Sequence, residues 1–260
     1  MKKNNFIVLL ALALCGALSA NAQNRMNVHL TNGEVTTFSI SNVDFVDWDE
    51  KTTPEGDGTE PKFENIKING MAYHLGISGA IDLGLSVKWA AYNVGAEAPE
   101  EYGDYYAWGE TETKSKYDWS TYLDSPNRDG KSFTKYALDK KTVLDPEDDV
   151  AHVKWGGSWR MPTKAEQDEL RTKCFWTWTT QNGVNGRMVT GPNGNSIFLP
   201  AAGSRCNNSH DHAGSYGYDW SSSLYESSSL NAYGLNLGSG YVDLYNNYRF
   251  LGLSVRPVCP

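Results

Sequence analysis

Several things are scarce in this 260-residue chain, and each scarcity removes a class of function. Positive charge comes first: 23 Lys and Arg stand against 31 Asp and Glu, for a net charge of −8. The basic residues are scattered, whereas neutralising a phosphate backbone needs them clustered, so no nucleic-acid partner is expected. Long apolar runs are scarce as well. Past Leu14 none is long enough for a membrane-spanning helix, so no transmembrane segment is expected. Cysteine is limited to four, without a Cys-x-x-Cys or a Cys/His spacing suited to zinc. No nucleotide-binding glycine loop, Ser-His-Asp signature or glycosidase carboxylate pair stands out. No repeat of about 20–50 residues recurs, which excludes a solenoid or a propeller.

What is present begins with an address. Lys2 and Lys3 precede the apolar run Phe6 to Leu14, and Ala20-Asn21-Ala22 places small residues at a cleavage site. Residues 1–22 read as a secretory signal peptide, cut after Ala22, so the chain is exported to the periplasm, the outer surface or the medium. A competing reading makes Cys15 a lipid anchor, but Leu14 stands before it where such signals want Gly or Ala. Removing the leader leaves Cys174, Cys206 and Cys259. An oxidising compartment permits one disulfide and a spare thiol among three possible pairings. Cys174–Cys259 closes the longest loop and restrains the unfolded chain most.

Three further segments follow. Residues 23–48 read as a small β segment, with Asn32-Gly33 between apolar runs as a hairpin signal. Residues 49–62 are polar and rich in Pro and Gly, which is linker composition. The main domain occupies 63–260. Within it Ile81 to Trp89 reads as a core strand, and 97–150 as packed, acidic, aromatic-dotted loops. The helix to expect runs from Thr163 to Cys174, where Thr163 and Glu166 have the spacing of a capping box and Pro162 stiffens the entry. Strands follow at Phe175–Thr179, Met188–Thr190, Ile197–Pro200, Ala232–Leu237 and Ser254–Val258, punctuated by Asn182-Gly183 and Asn193-Gly194.

The succession of Asp82-Leu-Gly-Leu-Ser-Val-Lys-Trp-Ala90, Glu101-Tyr-Gly-Asp-Tyr-Tyr-Ala-Trp-Gly-Glu-Thr111, Trp155-Gly-Gly-Ser-Trp-Arg-Met-Pro-Thr163, Leu199-Pro-Ala-Ala-Gly203, Trp220-Ser-Ser-Ser223 and Ser254-Val-Arg-Pro-Val-Cys259 resembles the Fibrobacter succinogenes major paralogous domain family. The likeness spans roughly residues 66–260. It implies an α+β, C-type-lectin-like domain with paired terminal strands, one main helix and long loops, distantly similar to formylglycine-generating enzymes. Two positions depart from that pattern. Tyr92 stands where relatives often carry cysteine. Gln167 replaces an apolar residue, which implies a helix start less firmly docked.

Candidate sites follow from composition. Asp145, Glu147, Asp148 and Asp149 crowd enough carboxylate oxygen for a calcium ion, although acids also suit a helix N-terminus. His210-Asp211-His212 has the look of a transition-metal pair, yet lacks a third ligand nearby. Residues 203–250 are dominated by Gly, Ser, Tyr and Asn without a lysine, the mixture that paratopes use for rigid anchors and adaptable hydrogen bonds. The expected ligand contacts are Tyr216, Tyr218, Asp219, Tyr225, Tyr241, Asp243, Tyr245 and Asn247. In 241–248, strand alternation sends Val242 and Leu244 inward and Tyr241, Asp243 and Tyr245 outward. Together these features describe an exported, surface-associated binding module for a glycan or a protein, rather than an enzyme. A formylglycine-generating-type oxidase and a purely structural surface protein are the alternatives.

Overall fold

The computed structural model describes residues 25–29, 35–39, 46–50, 63–68, 71–74, 80–136 and 139–260. The leader with Cys15 and most of the 49–62 segment lie outside the described residues. Strands β1 (Arg25–His29) and β2 (Val35–Ser39) pair antiparallel, as the Asn-Gly signal between them implies. Strand β3 (Val46–Glu50) pairs with β4 (Phe63–Ile68), which pairs with β5 (Met71–His74). A boundary at Phe63 therefore cuts a sheet: Asp49 and Glu50 are strand, and the first residues assigned to the main domain bond to the segment before it.

The expected core strand over Ile81–Trp89 is instead a hairpin. Strands β6 (Ala80–Ile81) and β7 (Lys88–Ala90) pair antiparallel, Ala80 opposite Ala90. The chain turns back because Gly84 adopts φ +74°, and its N–H donates to the Asp82 carboxylate at 2.7 Å. The last strand of the chain, β16 (Val258–Cys259), closes onto β7. The beginning and end of the domain thus share one sheet.

A 3-10 turn at Pro146–Asp148 leads into helix α1 (Val150–Trp155), and helix α2 (Lys164–Lys173) follows. Both halves of the capping box form at α2, and Arg160 lays its guanidinium along the Glu166 carboxylate through both Nη atoms. The expectation of a loosely docked helix start is overturned by Gln167. That side chain is buried, and its Nε2 donates to the carbonyls of Asp219 and Trp220 at 3.0 and 3.2 Å. A polar residue ties the helix to the sheet where an apolar one would only pack.

Strands β8 (Phe175–Gln181), β9 (Val184–Thr190) and β10 (Ser196–Pro200) form a meander in the order β10-β9-β8. A short hairpin, β11 (Ser204–Cys206) and β12 (Ser209–Asp211), precedes the sheet of β13 (Tyr216–Leu224), β14 (Asn231–Gly238) and β15 (Val242–Tyr248). Most of the Gly-, Ser-, Tyr- and Asn-rich stretch 203–250 is therefore strand. The domain is α+β, with strand far outweighing helix. Leu170 of α2 joins Leu83, Trp89, Leu199, Leu235 and Leu237 in one core beneath that sheet. A second core gathers Trp108, Met161, Trp220 and Leu253.

Residues 97–145 carry no long element, as expected, and are held by side chains. Arg249 is fully enclosed, with Phe133, Trp108, Tyr122 and Tyr136 ring centroids at 4.6, 4.8, 5.3 and 6.0 Å from its guanidinium carbon. Its Nε donates to the Tyr122 hydroxyl at 2.8 Å, Nη1 to the Ser229 carbonyl and Nη2 to the Asp124 carboxylate. Every ring of that cage and the counter-ion come from the loop region.

None of the three disulfides forms, since Cys174 and Cys206 are free thiols. Cys174 sits at the C-terminal end of α2 against the Leu170 core, whereas Cys259 packs with Trp159 in a different cluster. The closed-loop argument weighs only the unfolded chain and says nothing of which thiols meet in the folded one.

Replacing Arg249 with Met is expected to cost about 3–5 kcal/mol, because the half-buried Asp124 carboxylate loses its cation and the enclosed Tyr122 hydroxyl and Ser229 carbonyl lose their donor. For a domain of this size the thermal midpoint should fall by about 10 °C. A circular-dichroism melt checks this, and a midpoint within about 2 °C of wild type would speak against it.

Candidate functional site

The register of the β13-β14-β15 sheet decides which of its residues share a face. Tyr216 lies opposite Gly238, Tyr218 opposite Asn236 and Trp220 opposite Gly234. On the other side Asn236 faces Asp243, Gly234 faces Tyr245 and Ala232 faces Asn247. Successive side chains point to opposite faces of a strand. Tyr216, Tyr218, Asp243, Tyr245 and Asn247 therefore stand on one face, with Tyr241 just before β15. Leu235, Leu237, Val242 and Leu244 stand on the other, over α2 and its core. The inward and outward assignments made for 241–245 hold, with Tyr241 44% and Tyr245 60% exposed.

Glycine makes the open end of this face. A Cβ at Gly238 would lie about 3 Å from ring carbons of both Tyr216 and Tyr241, so only glycine lets the two rings close over the strand. The Tyr216 and Tyr241 centroids are 6.0 Å apart, and Tyr218 lies 6.5 Å from Tyr216. His212 completes the group, edge-on to Tyr216 at 5.5 Å. Burial, followed by the neighbouring phenols, pushes the Tyr218 and Tyr241 hydroxyls above their usual range, so both stay neutral donors at physiological pH. Asn247 Nδ2 donates to Asn236 Oδ1 at 3.2 Å, and Asp243 lies 4.0 Å from Arg171.

The turn that carries Tyr241 is fixed from behind. Arg187 of β9 is buried and donates to the Gly238 carbonyl through Nε and Nη2 at 2.9 and 2.6 Å, and to the Ser239 carbonyl at 3.0 Å. Three bonds from one rigid planar fork hold the turn where loose backbone would blur the position of Tyr241.

Two expected ligand contacts fall elsewhere. Asp219, next to Tyr218, points to the opposite face and is 4% exposed. Its Oδ1 has no hydrogen-bond partner, and burial pushes its pKa up to about 6 against the pull of Arg256. Tyr225 lies past the end of β13 and packs edge-on against Tyr233, beneath Lys164. The residues not foreseen are His212, Asn236, Gly238 and Arg187. In sequence the first suggests only a metal ligand, and the glycine carries no signal apart from the strand register.

The acids at 145–149 do not converge on a cation. Asp145 pairs with Lys141, Asp148 with Lys135 and the Tyr136 hydroxyl, and Glu147 points into solvent. Asp149 caps α1 by accepting from the His152 N–H and also takes the Met161 N–H. Among the described residues no group of three or more His, Cys, Asp or Glu is placed to hold a metal ion. His210 is likewise spent: its Nε2 lies 2.8 Å from the Tyr105 hydroxyl and from the Ala202 carbonyl. Asp145, Asp148 and Asp149 are each matched locally, which density along the sequence cannot reveal.

The Cys174 and Cys206 thiols are poor nucleophiles here. Burial pushes both Cys174 and Cys206 upward, away from the thiolate that oxidation chemistry needs.

Asp219 makes stability depend on pH. Its folded pKa of about 6 lies above the ordinary 3.8, so the folded state holds the proton more tightly. That contribution is complete below about pH 4 and is lost as pH rises through about 6, a change on the order of 3 kcal/mol. Denaturant melts from pH 4 to 7 are expected to show this fall in wild type and not in Asp219→Asn. Equal slopes in both proteins would contradict the assignment. Chelation with EDTA is expected to leave the melting temperature unchanged, and a clear drop would restore the calcium reading for Asp145–Asp149.

Residues 158–258 match a family described as a domain of unknown function (DUF8237), a span from just before α2 to the last strand. No curated protein and no solved structure matches the chain.

Proposed function

We propose that this chain is an exported, surface-associated binding module of C-type-lectin-like architecture, and that its ligand face is the tyrosine-rich side of β13-β14-β15. The architecture is supported by the closure of β16 onto β7, the single principal helix and the long side-chain-fastened loop region. The observation that carries the binding function is the cluster of Tyr216, Tyr218, Tyr241 and His212, whose rings meet over Gly238 at the exposed end of a braced sheet. Rigid phenol rings supply contact area with little loss of side-chain entropy. The amide of Asn247 and the exposed carboxylate of Asp243 add acceptors and donors alongside.

Of the two ligand classes, a glycan suits this face better than a protein. A stable protein interface takes about 800 Å² from each partner. The exposed aromatic end of this sheet is one turn and two strand termini. Sugar rings lie flat on such phenol faces, and their hydroxyls meet carboxylate and amide groups in a shallow site. Affinity per site is then modest, and display of several copies on a surface raises it by avidity.

A glycan array and a surface-protein array, probed with the full chain, test this reading. Tyr241→Ala and Tyr245→Ala are each expected to weaken capture about 5- to 30-fold, the loss of one aromatic anchor. Capture that survives both substitutions would refute the face.

A further inference from the structure

The structure also holds a concavity, lined by residues outside the tyrosine cluster. It measures about 310 Å³ and opens between the 104–117 loop and the β11-β12 hairpin. That is the lower end of the range small-ligand sites span, about 300–1,000 Å³. One wall is Arg205, Asn207, Asn208 and Ser209, and the other includes Tyr105, Ser115 and Tyr117.

The walls are cross-braced. The Tyr117 N–H donates to the Asn207 carbonyl at 2.9 Å and the Asn207 N–H returns to Tyr117 at 2.8 Å. Arg205 and Gly252 exchange the same pair of backbone bonds at 2.8 and 3.0 Å. A Cβ at Gly252 would strike the Tyr117 ring at 2.7 Å, so glycine permits this closeness. The Tyr117 hydroxyl donates to the Tyr105 carbonyl, and the Tyr105 hydroxyl to Ala202 at 2.6 Å. The cavity is therefore set by backbone and buried phenols before any ligand arrives.

Its charges are unequal in availability. Lys114 is committed, with Nζ on the Glu110 carboxylate and the Thr121 carbonyl. Asp104 sits over Gly95, where a Cβ would be 2.4 Å from its Oδ2, and accepts from the Tyr106 hydroxyl. Arg205 differs. Its guanidinium rests on the Tyr105 ring at 5.1 Å, and among the described residues it makes no hydrogen bond or ion pair. Stacking fixes one face of the fork and leaves the N–H edges free, which is the geometry for a planar carboxylate. Around it stand amides and hydroxyls, among them Asn208 and Ser115.

We propose that this cavity binds a singly charged, hydroxyl-bearing anion of the sugar-acid class, with the carboxylate on Arg205 and ring hydroxyls on the Asn207–Ser209 turn. One uncommitted cation, with Asp104 nearby, favours a monoanion over a phosphate dianion. The site stands independently of the tyrosine face.

Nuclear magnetic resonance titration of the full mature chain with glucuronate, galacturonate, glucose and inorganic phosphate tests it. At least one uronate is expected to saturate shifts at Asn207–Ser209, with glucose and phosphate about 10-fold weaker or more. Arg205→Gln should bring the uronate down to the level of glucose without moving the melting temperature, and Asp104→Asn should tighten uronate binding. Tyr241→Ala and Tyr245→Ala should leave these shifts alone, and Arg205→Gln should leave array capture alone, so the two sites fail separately. No saturable binding of either uronate, equal binding of glucose, or uronate binding untouched in Arg205→Gln would each overturn the proposal.

Discussion

Arg249 carries a positive charge at 0% exposure, and the fold must satisfy it without water. It does so by wrapping four aromatic rings and the Asp124 carboxylate around the guanidinium. The consequence reaches well beyond the charge. Arg249 directly follows β15, while Trp108, Tyr122, Asp124, Phe133 and Tyr136 are spread along a region with almost no regular structure. An unpaired buried cation is too costly to keep, so these residues have to assemble around it. The same backbone joins in: the Trp108 N–H donates to the Arg249 carbonyl at 2.9 Å. Tyr105 and Tyr117, which wall the cavity beside the β11-β12 hairpin, belong to the region so fastened.

Each proposed site is built around an arginine, and the two are used in opposite ways. Arg187 fastens the turn that presents Tyr241, spending its N–H groups on backbone carbonyls. Arg205 is itself fastened by stacking and keeps its N–H groups unspent. The contrast separates a positioning residue from a binding one. It also explains why the two regions need few charges between them: rigidity is supplied by backbone bonds and glycines, and specificity is left to a small number of polar groups.

The sequence was legible where the pattern is local. The capping box at Thr163 and Glu166, the Asn182-Gly183 turn and the alternation through 241–245 each depend on residues a few positions apart. Legibility failed where distant chain segments meet. Tyr218 and Asp219 were both expected at the ligand face, yet neighbours in a strand point to opposite sides, so one had to be buried. Gln167 reads as a flaw in the helix when seen locally, because its partners, the carbonyls of Asp219 and Trp220, lie some fifty residues on. The acids at 145–149 counted as a cluster only until Lys135, Lys141 and the α1 terminus claimed them individually. Arg205 gave no signal at all, since the loop it faces lies about a hundred residues earlier.

Amide hydrogen exchange on the full chain tests most directly whether a buried arginine fastens the irregular region. The N–H groups of Trp108, Tyr117 and Leu144, each bonded to a distant backbone carbonyl, lie in segments without strand or helix. If the cage holds that region to the sheet, they exchange as slowly as the amides of β14. Exchange as fast as that of the exposed Ser239-Gly240 turn would show that the loops open independently, and would contradict the account.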